Sequence, residues 1–422
     1  MDNPDYVTRE EAIRALQIKP ATLYSYVSRG LLRRIKDRDQ RRSMYLQEDV
    51  DRLKARRPGQ PVTADAAAKA LRWGEPVAST SITCLDSSGP CYRNRKAIEL
   101  ARSGASFEAV AHLLFTGLWQ PAAGAWPRVE TPVDTLKTLK SMGKGIEAAD
   151  FSKAVTRAVL SLGMQGRGAT ELAGEGAEPE RLIIQTVAGC MGFLSSHGRF
   201  FPRREGESIA AQVLGAAACK PSAGAVAAID EMLIVLADHE LASATFAARI
   251  AASTHSDLYC CVGAALCAHA GSATVAATFA VDEHVFHPLS KRNWNEMHAL
   301  VKQRGTTLFG FNHPLYPSGD PRADYLLELV SRLKPTDPKV PMVLRFLEQA
   351  RTESAVLPGI AVALVVFARA LGMPSGAASA LWIISRSAGW IAHALEQRTQ
   401  GYMLRPRARF VGGDTTAMYR PG

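Results

Sequence analysis

The feature that most constrains this chain is the stretch Ala237–Ala323, where a long helical repeat gives way to a punctuated loop. Its first part, Ala237–Ala277, is rich in alanine and sets Phe246, Ile250, Leu258, Val262 and Leu266 at helical steps, which predicts one or two buried helices. Its closing part, LFGFNHPLYPSGDPRA over Leu308–Ala323, is broken by Gly, Pro and Asn and carries His313 and Arg322. Loops of that composition on a rigid helical frame are where chemistry concentrates.

A period near 3.6 recurs almost everywhere else, as in ADFSKAVTRAVLSL over Ala149–Leu162, and strand signals are few, so the main body is expected to be all-α. The chain has 422 residues, 47% hydrophobic and 21% charged, enough for a large core and more than one domain. Its longest apolar run, Leu357–Ala368, falls well short of the roughly 20 residues a membrane span needs and is followed by Arg369. With no apolar leader at its start, a cytoplasmic protein without membrane contact is expected. Seven cysteines, none in a C-x-x-C pair, argue against a disulfide framework and a zinc site, and Cys260 and Cys261 read as small core residues. His284 and His287 lack a third ligand at recognisable spacing, so no metal is expected.

The net charge of +10 is unevenly placed: residues 1–57 hold 14 Lys or Arg against 9 Asp or Glu. Thr8 followed by Glu11 is a capping box for a helix running to Leu16, Ile18–Pro20 makes a turn, and Thr22 opens a second helix that Gly30 ends. A strand, a basic hairpin, a second strand and a helix from about Glu48 should follow. RPGQP, ending at Pro61, reads as a linker and Thr63–Trp73 as a connecting helix. From Ser81 to Leu100 a hairpin with Ser-Ser-Gly-Pro turn chemistry leads into a helix.

Several of these segments resemble known families. DHEL at Asp238–Leu241, SATFAARIAAST, GFNHPLYPSGDPRA, SRSAGWIAHALEQ at Ser385–Gln397 and RPRARFVG at Arg405–Gly412 are similar, in order, to citrate synthases. The basic first segment resembles MerR-like or excisionase-type winged helix-turn-helix domains. The implied architecture is a winged helix-turn-helix domain over 1–57, a linker and connecting helix over 58–80, and a two-lobed helical citrate-synthase-like body over 81–422 with a small subdomain roughly at 285–380.

Citrate synthases condense an acyl-CoA with oxaloacetate. A carboxylate removes a proton beside the thioester carbonyl, one histidine stabilises the enolate and another protonates the keto oxygen. The resemblance assigns the second histidine to His313 and substrate contact to His239, Arg322, Arg386 and Arg405, the last reaching a neighbouring subunit's site. Arginine forks suit a dicarboxylate. Phe309, Gly310, Phe311 and Asn312 would form the acyl-CoA loop. Tyr24, Ser25, Ser28 and Arg29 would face the DNA major groove, and Arg38, Arg41 and Arg42 its phosphates.

Two family positions differ. GSATVAAT places Thr274 where the family has the enolate-stabilising histidine, and PGIA places Ala361 where it has the base. Asn94 stands where a glycine is usual. No Asp or Glu occurs from Ser354 to Leu395. A positioned base supplies roughly 10²- to 10⁴-fold, so its loss implies an impaired enzyme that still holds its anion. It would act as a metabolite-responsive regulator or the inactive partner of an active paralogue, in a homodimer or mixed dimer that reaches DNA. The alternative is an active citrate or 2-methylcitrate synthase. Neither reading needs a cofactor beyond acyl-CoA as substrate or ligand.

Overall fold

The first helix begins where the sequence requires it: the Thr8 N–H donates to Glu11 Oε2 at 2.8 Å and the Glu11 N–H donates to Thr8 Oγ1 at 3.3 Å, a reciprocal capping box. The computed structural model describes residues 6–16, 18–28, 32, 34–36, 43–47, 50, 78–121, 124–143, 146–164, 178–271, 275–286, 310–354 and 356–406. They fall into two compact units, Met1–Val77 and Ala78–Gly422.

The first unit runs β1 (Tyr6–Thr8), α1 (Arg9–Leu16), α2 (Pro20–Ser28), β2 (Arg34–Lys36) and β3 (Ser43–Leu46). The second helix opens at Pro20 rather than Thr22, since proline at the first helical position gives up only an N–H that has no intrahelical partner. Strand β1 is not legible in the sequence, because three residues show no period. It pairs antiparallel with β3 (Tyr6↔Leu46), which pairs on its other edge with β2 (Arg34↔Tyr45). Ala12, Leu16, Leu23, Leu32, Tyr45 and Val50 form this unit's own core. Of the helix expected from about Glu48 only Val50 is among the described residues, and the helix expected over Thr63–Trp73 falls outside them.

The second unit opens with the antiparallel strands β4 (Thr83–Asp86), β5 (Gly89–Tyr92) and β6 (Arg95–Lys96). Arg93 and Asn94, between β5 and β6, have φ of 47° and 67°. A two-residue turn with both φ positive suits asparagine nearly as well as glycine. Helices α3 (Ala97–Arg102), α4 (Phe107–Thr116), α5 (Val133–Met142), α6 (Phe151–Gly163), α7 (Glu178–Cys190), α8 (Ile209–Ala216) and α9 (Ala223–Val235) follow. Then come α10 (Ser243–Ser253), α11 (Leu258–His269), α12 (Val275–Phe286), α13 (Pro321–Arg332), α14 (Val340–Ser354), α15 (Ile360–Ala370) and α16 (Ala377–Gln400). Side-chain oxygens set many of the starts: Ser106, Ser208, Ser222 and Asp257 each accept from the N–H three residues on.

Helix α16, 24 residues long and buried along most of its length, is the axis of this unit. Helices α10 and α11 pack on each other and on α16, and α11 also packs on α6. Within α10 the expected apolar face is displaced: Ile250 is exposed and Phe246 half-buried, while Ala244, Thr245, Ala248, Arg249 and Ala252 face inward. Arg249 takes the inward face because α16 supplies partners for its guanidinium, as described below. Cys260 is also exposed, correcting its assignment to the core, whereas Cys261 is buried. Among the described residues no helix is long and apolar enough to cross a membrane.

Candidate functional site

One side of α16 carries Arg386, Gly389, His393, Glu396 and Gln400 at three- to four-residue steps, directed at α10 and the turn that precedes it. Gly389 makes the approach possible. Its N–H donates to Ala237 O at 3.0 Å, and a Cβ there would stand 2.6 Å from that oxygen and collide with Asp238 Oδ1. Asp238, wholly buried, is then surrounded. His393 Nε2 lies 3.1 Å from its Oδ2, the Glu240 N–H donates to Oδ2 at 3.0 Å, and Arg386 Nη1 stands 3.8 Å from Oδ1. Burial alone would raise this carboxyl, but the charge and hydrogen bond of His393 and the charge of Arg386 outweigh it and hold Asp238 at about 2.

Behind His393 stands Arg249. Its Nη1 lies 3.3 Å from His393 Nδ1 and 2.8 Å from Glu396 Oε2, its Nε donates to Gln397 Oε1 at 2.9 Å and its Nη2 to Gln400 Oε1 at 2.7 Å.

The loop before α13 supplies the other wall. His239 Nε2 lies 2.9 Å from Tyr316 Oη, and its ring stands edge-on to His313 with centroids 5.4 Å apart. His313 Nδ1 accepts the Leu315 N–H at 3.2 Å, which leaves the ring proton on Nε2. Burial first, and then Arg322, lower His313 to about 4, with Asp320 opposing; burial, Arg322 and Arg386 drive His239 well below its ordinary value. Both rings are therefore neutral at pH 7 and act as hydrogen-bond donors or acceptors rather than as cations. Arg322 is clamped by Asp320, with Nε to Oδ1 at 2.9 Å and Nη2 to Oδ2 at 2.7 Å, and lies over the Tyr316 ring. Burial would raise Asp320, but this pairing outweighs it and leaves the carboxyl below its ordinary value.

A third segment closes over the loop. Asn312, at φ 52°, donates its N–H to Leu357 O at 2.7 Å and accepts the Leu357 N–H on Oδ1 at 2.9 Å. The Gly359 N–H donates to Gly310 O at 2.8 Å. Gly310, at φ 73°, lies so close to Ala361 that an added Cβ would stand 2.7 Å from the Ala361 methyl. Ala361, in the first turn of α15, is buried there.

The structure thus brings His239, His313, Arg322 and Arg386 into one cluster and seats Gly310, Phe311 and Asn312 against the start of α15 that carries Ala361. Arg405 is exposed beyond Gly401, and the cluster is assembled without it. Thr274 and Phe309 lie outside the described residues. Asp238, Tyr316, Asp320 and His393 belong to the cluster but are not singled out by the sequence reading. For His393 the signal was its seven-residue offset from Arg386, two helical turns along one face. In the first unit Tyr24 is exposed and stacks with Arg9, whose guanidinium carbon is 5.5 Å from the ring centroid. The side chains of Ser25 and Ser28, and Arg29, Arg38, Arg41 and Arg42 altogether, lie outside what is described. Among the described residues no group of His, Cys, Asp and Glu is arranged to hold a metal.

Comparison with known proteins decides the family. The profile of the citrate synthase C-terminal domain matches residues 70–407. The chain belongs to the citrate synthase family. It is 30% identical over 198 residues to citrate synthase 2 of Bacillus subtilis, a match covering 46% of this chain and 53% of that one. It is also 26% identical over 354 residues to 2-methylcitrate synthase of Shewanella oneidensis, covering 80% and 93%. The chain thus matches only about half the length of the Bacillus relative and nearly all of the Shewanella one. Its fold is that of the Thermoplasma acidophilum citrate synthase solved with carboxymethyl coenzyme A and oxaloacetate, at TM-score 0.69, 21% identity and coverage of 82% of this chain and 96% of that one. The Thermotoga maritima citrate synthase superposes with TM-score 0.65 at 22% identity, covering 82% and 96%.

Proposed function

We propose that this citrate synthase family member holds a small dicarboxylate or keto acid, with an acyl-CoA against the Gly310–Asn312 loop, but condenses them poorly for want of a base. The observation that carries this reading is the environment of the cluster's carboxylates. The family's base position is Ala361, sealed beneath Gly310. Asp238 and Asp320 are each paired to an arginine and held below their ordinary values. Asp238, near 2, is too weak a base to take a proton from carbon at neutral pH, and Asp320 is depressed in the same direction. The grip is supported by Arg386, buried with no hydrogen-bond partner at Nη1, and by the neutral His239 and His313, each able to meet an anion's oxygen.

The chain would then act as a metabolite-binding regulator or as the inactive member of a mixed dimer. Arg405, exposed past the end of α16, suits a role across a two-fold axis, and the exposed Leu160 and Ile250 on α6 and α10 suit burial in such an interface. The first unit, with its β1–α1–α2–β2–β3 order and antiparallel sheet, supports a winged helix-turn-helix that reaches DNA through α2 and the β2–β3 hairpin.

Citrate and 2-methylcitrate formation by the purified protein is the test. Turnover about 10²-fold or more below an ordinary family member is expected, and turnover within about tenfold overturns the impaired reading. Oxaloacetate at roughly 100 times its Kd should add about 2.7 kcal/mol of stability, read as a rise of several degrees in Tm, and no shift removes the sensor role. DNA binding should weaken as salt rises, with a log–log slope of about −0.9 per phosphate contacted. A second reading, an active citrate or 2-methylcitrate synthase, is favoured by the near full-length match to the Shewanella relative.

A further inference from the structure

Cys84 and Cys91 stand directly opposite one another in the β4–β5 hairpin. The Arg93 N–H donates to Ile82 O at 2.8 Å. Bonded and open pairs alternate along an antiparallel ladder, so two residues further on Cys84 and Cys91 are again a bonded pair, with Cα atoms about 5.5 Å apart. That lies inside the roughly 4.4–6.8 Å a disulfide spans. Both side chains are on the outer face: Cys84 is exposed and Cys91 half-buried, while Thr83, Pro90 and Tyr92 turn inward. Lys96, across from Cys91 on β6, completes the outward row. The thiols also feel each other, since burial first and then Cys84 push Cys91 up to about 11, with Lys96 opposing.

We propose that Cys84 and Cys91 form a modification site, a dithiol that a small-molecule disulfide converts reversibly into a cross-strand disulfide. The exposed Cys84 loses its proton and attacks one sulfur of the small disulfide. That S–S bond breaks, one thiolate leaves, and a mixed disulfide forms on Cys84. Cys91, losing its proton in turn, attacks the Cys84 sulfur and expels the second thiolate. The two cysteines are oxidised by two electrons, the small disulfide is reduced to two thiols, and the two cysteine protons end on those thiols. A bonded pair keeps its Cβ atoms about 5 Å apart, against about 3.8 Å in a disulfide. Closure therefore pinches the strands and leaves a bond that is readily reduced, a switch rather than a staple.

The hairpin also touches both walls of the candidate site. Tyr92 Oη donates to Val235 O at 3.1 Å and accepts the Asp238 N–H at 3.1 Å. Gly89 packs on Pro321, where an added Cβ would stand 3.2 Å from Cγ, one residue from Arg322. Pinching the hairpin moves both contacts, so oxidation changes anion affinity; this coupling, unlike the cross-link, rests on the ligand reading above.

The test incubates the full chain in glutathione mixtures of rising oxidised fraction and maps tryptic peptides without reduction. Both cysteines fall in the single peptide Trp73–Arg93. Expected is the loss of two hydrogen masses from that peptide, reversed by dithiothreitol, with Cys91→Ser trapping a stable glutathione adduct on Cys84. Adduct alone in the unsubstituted chain, a link from Cys84 to another cysteine, or no reaction overturns the proposal. Oxaloacetate titrations of the reduced and oxidised forms are expected to differ about fivefold or more in Kd. Equal affinities overturn the coupling while the peptide result stands, and no binding to either form counts against the ligand reading instead.

Discussion

Asp238 shows how one side chain serves both the fold and the site. Its carboxyl sits at about 2 against an ordinary 3.8, so the native state holds the proton less tightly than the unfolded chain. The stabilisation is fully present above about pH 4 and is lost as pH falls toward 2, a contribution of roughly 2 kcal/mol. Asp238→Asn also leaves Arg386 buried without a counter-charge, a cost of about 3–5 kcal/mol. We expect the variant to be destabilised by about that much at pH 7, and the difference to narrow by roughly 1 kcal/mol between pH 5 and pH 3. Urea unfolding of both proteins at the three pH values checks this, and a gap independent of pH would contradict it. At this scale the arginines were legible because they sit in distinctive local motifs. The Asp238–His393 pair was not, since the two residues are 155 positions apart in the chain and meet only in the folded state.

Among the elements, α16 decides most. Gly389 is the point where the helix admits the Ala237–Asp238 turn, and a methyl group there would meet a backbone carbonyl and a carboxylate oxygen that its own partners hold in place. Overpacking of this kind costs about 1–3 kcal/mol where neighbours can yield. Here they cannot, so Gly389→Ala is expected to cost about 3 kcal/mol or more and to abolish the rise in Tm proposed for oxaloacetate. An alanine variant that keeps both stability and the ligand shift would mean the contact is looser than described. The displaced face of α10 has the same origin. Apolar periodicity pointed to Phe246 and Ile250, but Arg249 finds Glu396, Gln397, Gln400 and His393 on α16 and takes the inner face. A guanidinium is buried only where enough acceptors converge, and no local pattern reports that.

Across the whole molecule, several buried histidines make acid the weak side of stability. Burial lowers His269 to about 3 and His313 to about 4, and drives His239 well below its ordinary value. Below pH 6.5 the unfolded chain takes up protons that these native sites refuse, so stability is lost as pH falls toward 4. His269 alone should account for roughly 3 kcal/mol of loss by about pH 4.5. Denaturant midpoints measured from about pH 7.5 to about 4.5 should therefore fall steeply, and less so in His269→Asn; a flat profile would show that these rings are not held neutral.

What the sequence determined by itself is what short-range chemistry decides. The capping box at Thr8 and Glu11, the helical periods of the body, the Ser87–Gly89 turn of the hairpin and the motifs holding His239, His313, Arg322 and Arg386 all lie within a few residues. The tertiary structure alone decided that Ala361 lies sealed under Gly310, that Asp238 is committed to His393 and Arg386, and that Cys84 faces Cys91. Each of these depends on which surfaces exclude water and which charges are brought within reach of one another, and separation along the chain says nothing about either.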